Sequence, residues 1–238
     1  MGSRSKNRTP IFSVPFIRKE RSKMLKKAYF PGKYIQGAGA IEELPSLITV
    51  FGRRGLILAS PTVFHKVLPA SGLDGTAHSF SVECFGGECC EREIARLTSI
   101  LHQQSVEVLI GMGGGKTIDT AKIAADRANL PVIIVPTIAS TDAPCSGCAV
   151  LYSEAGVFDS VSYQKSNPAA VVVDTAIIAK APVRFLVAGM GDALATWFEA
   201  KSCSDTQSLN ECGGLGTLAG LQLARLCYDT LRQYGPSA

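Results

Sequence analysis

Between the apolar run Val106-Glu107-Val108-Leu109-Ile110 and a helical pattern with Ile118, Ala121, Ala125 and Ala128 on one face stand Gly111-Met112-Gly113-Gly114-Gly115. A strand that passes through a glycine-rich turn into a helix leaves bare N–H groups at the helix start, with no Cβ in front of them. The helix terminus adds partial positive charge there and Lys116 a full one. The stretch therefore predicts a phosphate cradle, a dinucleotide pyrophosphate being the anion that fits it best; a plain tight strand–helix turn is the alternative. The common fingerprints do not match. Ile110 occupies the first glycine position of a P-loop, and Lys116 stands where a GxGxxG motif needs its third glycine.

The surrounding chain repeats the same alternation. Tyr29 to Gly37 reads as an edge strand, Gly39 to Phe51 as a helix that accommodates Pro45, and Gly55 to Ala59 as a buried strand. Thr62 to Ala70 reads as a short helix and Ser79 to Phe85 as a strand. Glu88 to Gln104 carries Ile94, Leu97 and Leu101 on one helical face, and Val132 to Val135 is again a buried strand. Strands separated by helix-length segments predict an α/β fold with a Rossmann-like parallel sheet. Ala149 to Tyr152 and Val157 to Tyr163 flank a turn and predict an inserted hairpin; Ala170 to Asp174 returns to the core.

From Thr175 the pattern is helical, and the last helix carries a stripe of Leu218, Leu221, Ala224, Tyr228 and Leu231. The expected organisation is a basic N-terminal extension (1–28), a nucleotide-binding α/β domain (29–183) and part of an all-helical domain (184–238). Too little chain follows residue 184 to cover that stripe, so the helical domain is expected to be truncated.

Charge is unevenly placed. Residues 1–28 hold nine Lys/Arg and one acid, out of 24 Lys/Arg and 20 Asp/Glu in the whole chain, so the body is mildly acidic. A nucleic-acid groove across it is excluded, and no apolar run is long enough to span a membrane. The Ser- and Arg/Lys-rich extension, broken by Pro10 and Pro15, suits either a mitochondrial transit segment or a cytoplasmic tail. Lys6 stands where a myristoylation signal needs Ser or Thr. The eight cysteines are expected to be reduced. Cys145-Ser-Gly-Cys148 has redox or half-zinc spacing, but there is no second such pair, so ordinary small buried residues are the favoured reading.

Six motifs then converge: Pro31-Gly-Lys-Tyr-Ile-Gln-Gly37, Phe85-Gly-Gly-Glu88, Gly111 to Lys122, Pro136 to Ser146, Asn167-Pro168 and Gly189 to Ala200. Together they resemble the glycerol dehydrogenases of the metal-dependent, iron-containing-type alcohol dehydrogenase family. The resemblance implies a nucleotide-binding α/β domain, a helical metal-binding domain and an active site between them. It also implies NAD as cofactor, zinc as the usual metal, glycerol or another small polyol as substrate, and a homo-oligomer at full length.

Residue by residue, the resemblance places pyrophosphate contacts at Gly114, Gly115, Lys116, Thr117 and Asp119, and further nucleotide contacts at Thr137 and Ser140. Ser146, Cys148 and Tyr152 are implied nearer the nicotinamide, Asp142 on the substrate and Asp192 on the metal. Read without the family, Asp142 has an Asx-turn or helix cap as its alternative, and an N-cap after Gly191 is the preferred reading of Asp192. Two departures stand out. Ser60 replaces the acidic residue that holds the adenosine ribose, which leaves NADP admissible beside NAD. No histidine follows Asp192, whereas the family completes its metal site with two. The leading reading is thus a zinc-assisted polyol dehydrogenase, inactive as this chain. The alternatives are a non-catalytic nucleotide-binding fragment or pseudo-enzyme, and a dehydrogenase for another vicinal diol or a glycerol phosphate.

Overall fold

The computed structural model describes residues 25–73 and 80–238. Nearly all of the basic extension and His78 lie outside them. Residues 25–27, placed by the sequence in that extension, are tied down instead: the Lys27 N–H donates to Leu215 O at 3.0 Å and the Leu215 N–H to Leu25 O at 2.9 Å.

In chain order the elements are β1 (Tyr34–Gly37), α1 (Leu44–Phe51), β2 (Gly55–Ala59), α2 (Leu68–Ala70), β3 (Phe80–Cys84), α3 (Glu91–Gln103), β4 (Val108–Gly113), α4 (Gly115–Ala128) and β5 (Val132–Pro136). They continue as β6 (Cys148–Tyr152), β7 (Phe158–Tyr163), β8 (Ala170–Asp174), α5 (Thr175–Ile178), α6 (Val183–Thr206) and α7 (Leu218–Tyr234). Six strands form one sheet in the order β1-β8-β5-β4-β2-β3, every pairing parallel. β6 and β7 form the expected antiparallel hairpin. The α/β, Rossmann-like expectation holds.

Two expected helices differ in detail. Gly39, at φ +80, starts a single 3-10 turn (Ala40–Glu43), and α1 follows with Pro45 in its first turn, where a missing N–H costs nothing. The helix after β2 opens through a π turn (Val63–Val67) before α2.

Both faces of the sheet are covered, which is why the central strands read as continuous apolar runs. α1 and the 63–68 segment pack on one face with Ile57, Ile110 and Val135; α3 and α4 pack on the other with Leu56, Leu58 and Leu109. α4 lies very close to β4. An ideal Cβ on Gly111 would stand 2.6 Å from Ala121 Cβ and 3.3 Å from Ile134 Cδ1, so glycine sets that spacing.

The helical part is more open. No residue of α6 is fully buried, and only Ala224 of α7 is. The two helices pack through Trp197, Phe198 and Tyr228. Leu218, expected in the packed stripe, is 69% exposed, and Val187, Phe198, Leu223 and Leu226 are each more than half exposed. Among the described residues no helix is long and apolar enough to cross a membrane.

Gly111→Ala should therefore destabilise the chain by about 1–3 kcal/mol through overpacking between β4 and α4. Denaturant unfolding followed by circular dichroism measures this; an unchanged midpoint would mean that the helix can shift freely.

Candidate functional site

In an open parallel sheet, ligands bind beyond the carboxyl ends of the strands, where successive crossovers reverse direction. Here β2 leads outward to β3, whereas β4 returns past β2 and leads to β5 on the other side. The crevice is thus bounded by Ser60 after β2 and by Gly114 after β4.

Gly114 is the extended N-cap of α4, with φ −90 and ψ −175, and no side chain caps the helix. The first intrahelical bond is Ile118 N–H to Gly114 O, at 3.1 Å. The N–H groups of Gly115, Lys116 and Thr117 therefore have no intrahelical acceptor. A Cβ on Gly115 would meet only Thr141 Cγ2, at 3.6 Å, so the space ahead of the helix is open. Thr117 turns its side chain backward, where a Cβ on Gly113 would press on its Oγ1 and on Ser60 Cβ. Lys116 reaches across to Glu88 Oε2, 2.5 Å away, and lies 5.2 Å from the centre of the Tyr152 ring. Tyr152 accordingly stands at the cradle end of the crevice.

Asp119 does not face the cradle, correcting the expectation for that residue. It is buried, its Oδ2 accepts the Val150 N–H at 3.0 Å, and its Oδ1 lies 3.7 Å from Lys122 Nζ. Burial pushes the Asp119 carboxyl up and the Lys122 amine down, each partly offset by the other's charge. Lys122 donates to Ala143 O, to Ser146 Oγ at 3.1 Å and to Cys148 O at 3.0 Å. Ser146 is thereby held by a buried ammonium. The sequence pattern assigned Lys122 no role; it falls within an ordinary Asp–Lys helical pair, and only the covering loop reveals its partners.

After β5 the chain turns through Thr137, buried with its N–H on Gly113 O, and Ser140 toward a short 3-10 turn (Ala143–Cys145). Asp142 precedes that turn without its side chain capping it, so the cap alternative fails. Burial first, then the charges of Asp192 and Glu199, hold the Asp142 carboxyl above the usual carboxylate range.

Asp192 lies mid-helix in α6, which starts at Val183, so it is no N-cap. Its Oδ2 accepts the Asp142 N–H at 2.9 Å. Gly189 makes this approach possible: an ideal Cβ there would lie 2.1 Å from Ala139 O.

The eight cysteines are all free thiols. Burial pushes the Cys145 thiol up, the opposite of what an attacking thiolate needs. Among the described residues no three His, Cys, Asp or Glu gather as a metal cluster. Asp192 alone does not make a metal site, so the residues present do not fit a bound zinc.

The family profile described as iron-containing alcohol dehydrogenase matches residues 31–175. The chain is 48% identical over 213 residues to a glycerol dehydrogenase of Thermotoga maritima, covering 89% of this chain and 58% of the relative. With one of Citrobacter freundii it shares 48% over 225 residues, 90% of this chain and 60% of the relative. The solved structure of a probable glycerol dehydrogenase from Sinorhizobium meliloti superposes with a TM-score of 0.82 at 44% identity, covering 89% of this chain and 58% of that one. This chain belongs to the iron-containing alcohol dehydrogenase family. It spans under two thirds of the length of these relatives, and glycerol dehydrogenases are prominent among the proteins it resembles.

Asp192→Asn keeps an acceptor for the Asp142 N–H but removes a charge that raises the Asp142 carboxyl. The Asp142 pKa should fall. A carboxyl NMR titration measures it, and an unmoved value would leave burial and Glu199 as the causes.

Proposed function

We propose that this chain carries the nucleotide-binding part of an NAD-dependent polyol dehydrogenase, with glycerol as the substrate of the complete enzyme. Residues 29–183 form the nucleotide domain in this reading, and residues 184–238 belong to a helical domain that bears Asp192. The observation that supports it most is the uncapped start of α4, with its open space at Gly115, at the reversal point of the sheet. Three free N–H groups, the helix dipole and Lys116 together suit a pyrophosphate.

When bound, the nicotinamide supplies the hydride acceptor. This chain's own part is to orient. Thr137 and Ser140 border the nucleotide, and Ser146, held by Lys122, keeps the 143–148 turn against α4. Asp142, set beside Asp192 in the loop after β5, is suited to hydrogen-bond a polyol hydroxyl. Zinc is the metal expected of the complete enzyme, with Asp192 as one ligand. Because the donors among the described residues do not complete a site, chain 1–238 is expected to bind nucleotide without metal-dependent turnover. Ser60 offers neither the carboxylate that selects a free ribose nor its repulsion of a 2′-phosphate.

Titration of chain 1–238 with NADH and NADPH tests the reading, both being expected to bind. Lys116→Ala should lose a charge-assisted contact of about 1.5–3 kcal/mol, roughly a 10–150-fold weakening. Gly115→Val, whose Cβ the free protein has room to accept, should abolish binding by filling the pyrophosphate's place. Unchanged affinity in Gly115→Val would contradict the assignment.

A further inference from the structure

Glu88 follows β3 in the Phe85-Gly-Gly-Glu88 stretch, and its side chain is only 19% exposed. It is hemmed in on several sides. Oε1 accepts the Cys89 N–H at 3.0 Å, and Oε2 meets Lys116 Nζ at 2.5 Å. An ideal Cβ on Gly156, in the β6–β7 turn, would lie 3.2 Å from Oε2, so the hairpin closes that side. Lys116 completes the group by lying over the Tyr152 ring. A held carboxylate thus occupies the cation that stands at the first turn of α4.

A phosphate that takes up the α4 terminus and Lys116 arrives within a few ångströms of this second anion. It must share the ammonium with Glu88 or displace it, and in either case meets a like charge in a partly desolvated setting. We propose that Glu88 is an internal competitor for Lys116 that sets how tightly the crevice holds a phosphate-bearing nucleotide. This rests on the nucleotide reading of the cradle. Glu88 thereby weakens the grip on the pyrophosphate while keeping Lys116 over Tyr152, an arrangement that favours release as much as capture. Glu88 lies 28 residues from Lys116 in sequence, and the sequence pattern alone did not relate them.

The test uses ADP-ribose and adenosine as probes. Glu88→Gln keeps the shape and one acceptor while removing the charge. It should bind ADP-ribose about 3–10-fold tighter than the parent chain, a change of the size that one partly exposed charge contributes. Adenosine, which has no phosphate, should bind both equally, whereas a general structural disturbance would move both probes. In a Lys116→Ala background, with no ammonium left to compete for, Glu88→Gln should change ADP-ribose affinity less than it does in the parent chain. If ADP-ribose binds and needs Lys116, yet Glu88→Gln binds it equally or more weakly, the role of Glu88 is overturned and the cradle stands. If the parent chain binds neither NADH nor ADP-ribose, the nucleotide reading fails and the role of Glu88 falls with it.

Discussion

An ammonium buried in an α/β layer must be surrounded by oxygen, and Lys122 is. Only 2% exposed, it draws in the Ala143 and Cys148 carbonyls and the Ser146 hydroxyl, with Asp119 as the nearby countercharge. Leaving those groups unpaired inside the protein would cost several kcal/mol, so the loop after β5 cannot drift from α4 without a large penalty. One side chain thereby fixes three things together: the depth of α4, the path of residues 143–148, and the start of β6, which Asp119 also holds through Val150. The crevice has a defined shape because its cradle helix and its roof share this charge.

The same loop is the meeting place of the two parts of the chain. Residues 137–142 leave β5 on the nucleotide side and reach the backbone of α6 at Gly189. Asp192 then takes the Asp142 N–H, so a residue expected on the metal and one expected on the substrate are joined directly. The charges of Asp192 and Glu199 raise the Asp142 carboxyl beyond the effect of burial. The rest of the α6–α7 pair presents much apolar surface, while residues 25–27 pair with Leu215 ahead of α7.

Much of the fold was legible because its signals are local. Buried parallel strands read as apolar runs, helices as faces, and the hairpin as alternation around a turn; each stands close to where the pattern put it. The glycine loop was legible for the same reason, since strand, glycines and helix are contiguous. What the pattern could not give depends on distant packing. Asp119 looked like a cradle residue by its position in the motif, yet β6 crosses beside it and claims its carboxylate. Lys122 carried no signal of its own, and its partners come from the 143–148 turn that covers it. Glu88 carried no signal linking it to Lys116, and Leu218 proved exposed because α7 packs on α6 along a face centred on Ala224 and Tyr228. Without the family resemblance Asp192 reads as an N-cap after Gly191, but it sits inside the continuous helix α6, where Gly189 permits the close approach to Ala139.

In the proposed function, nucleotide capture depends on the start of α4 receiving phosphate through backbone N–H groups. Amide NMR of a nitrogen-labelled chain tests this most directly, with ADP-ribose added stepwise. The amides of Gly115, Lys116 and Thr117 should shift most strongly and saturate together, with smaller changes at Thr137 and Ser140. If ADP-ribose shifts other amides while those three stay still, phosphate does not sit at this helix and the account is wrong.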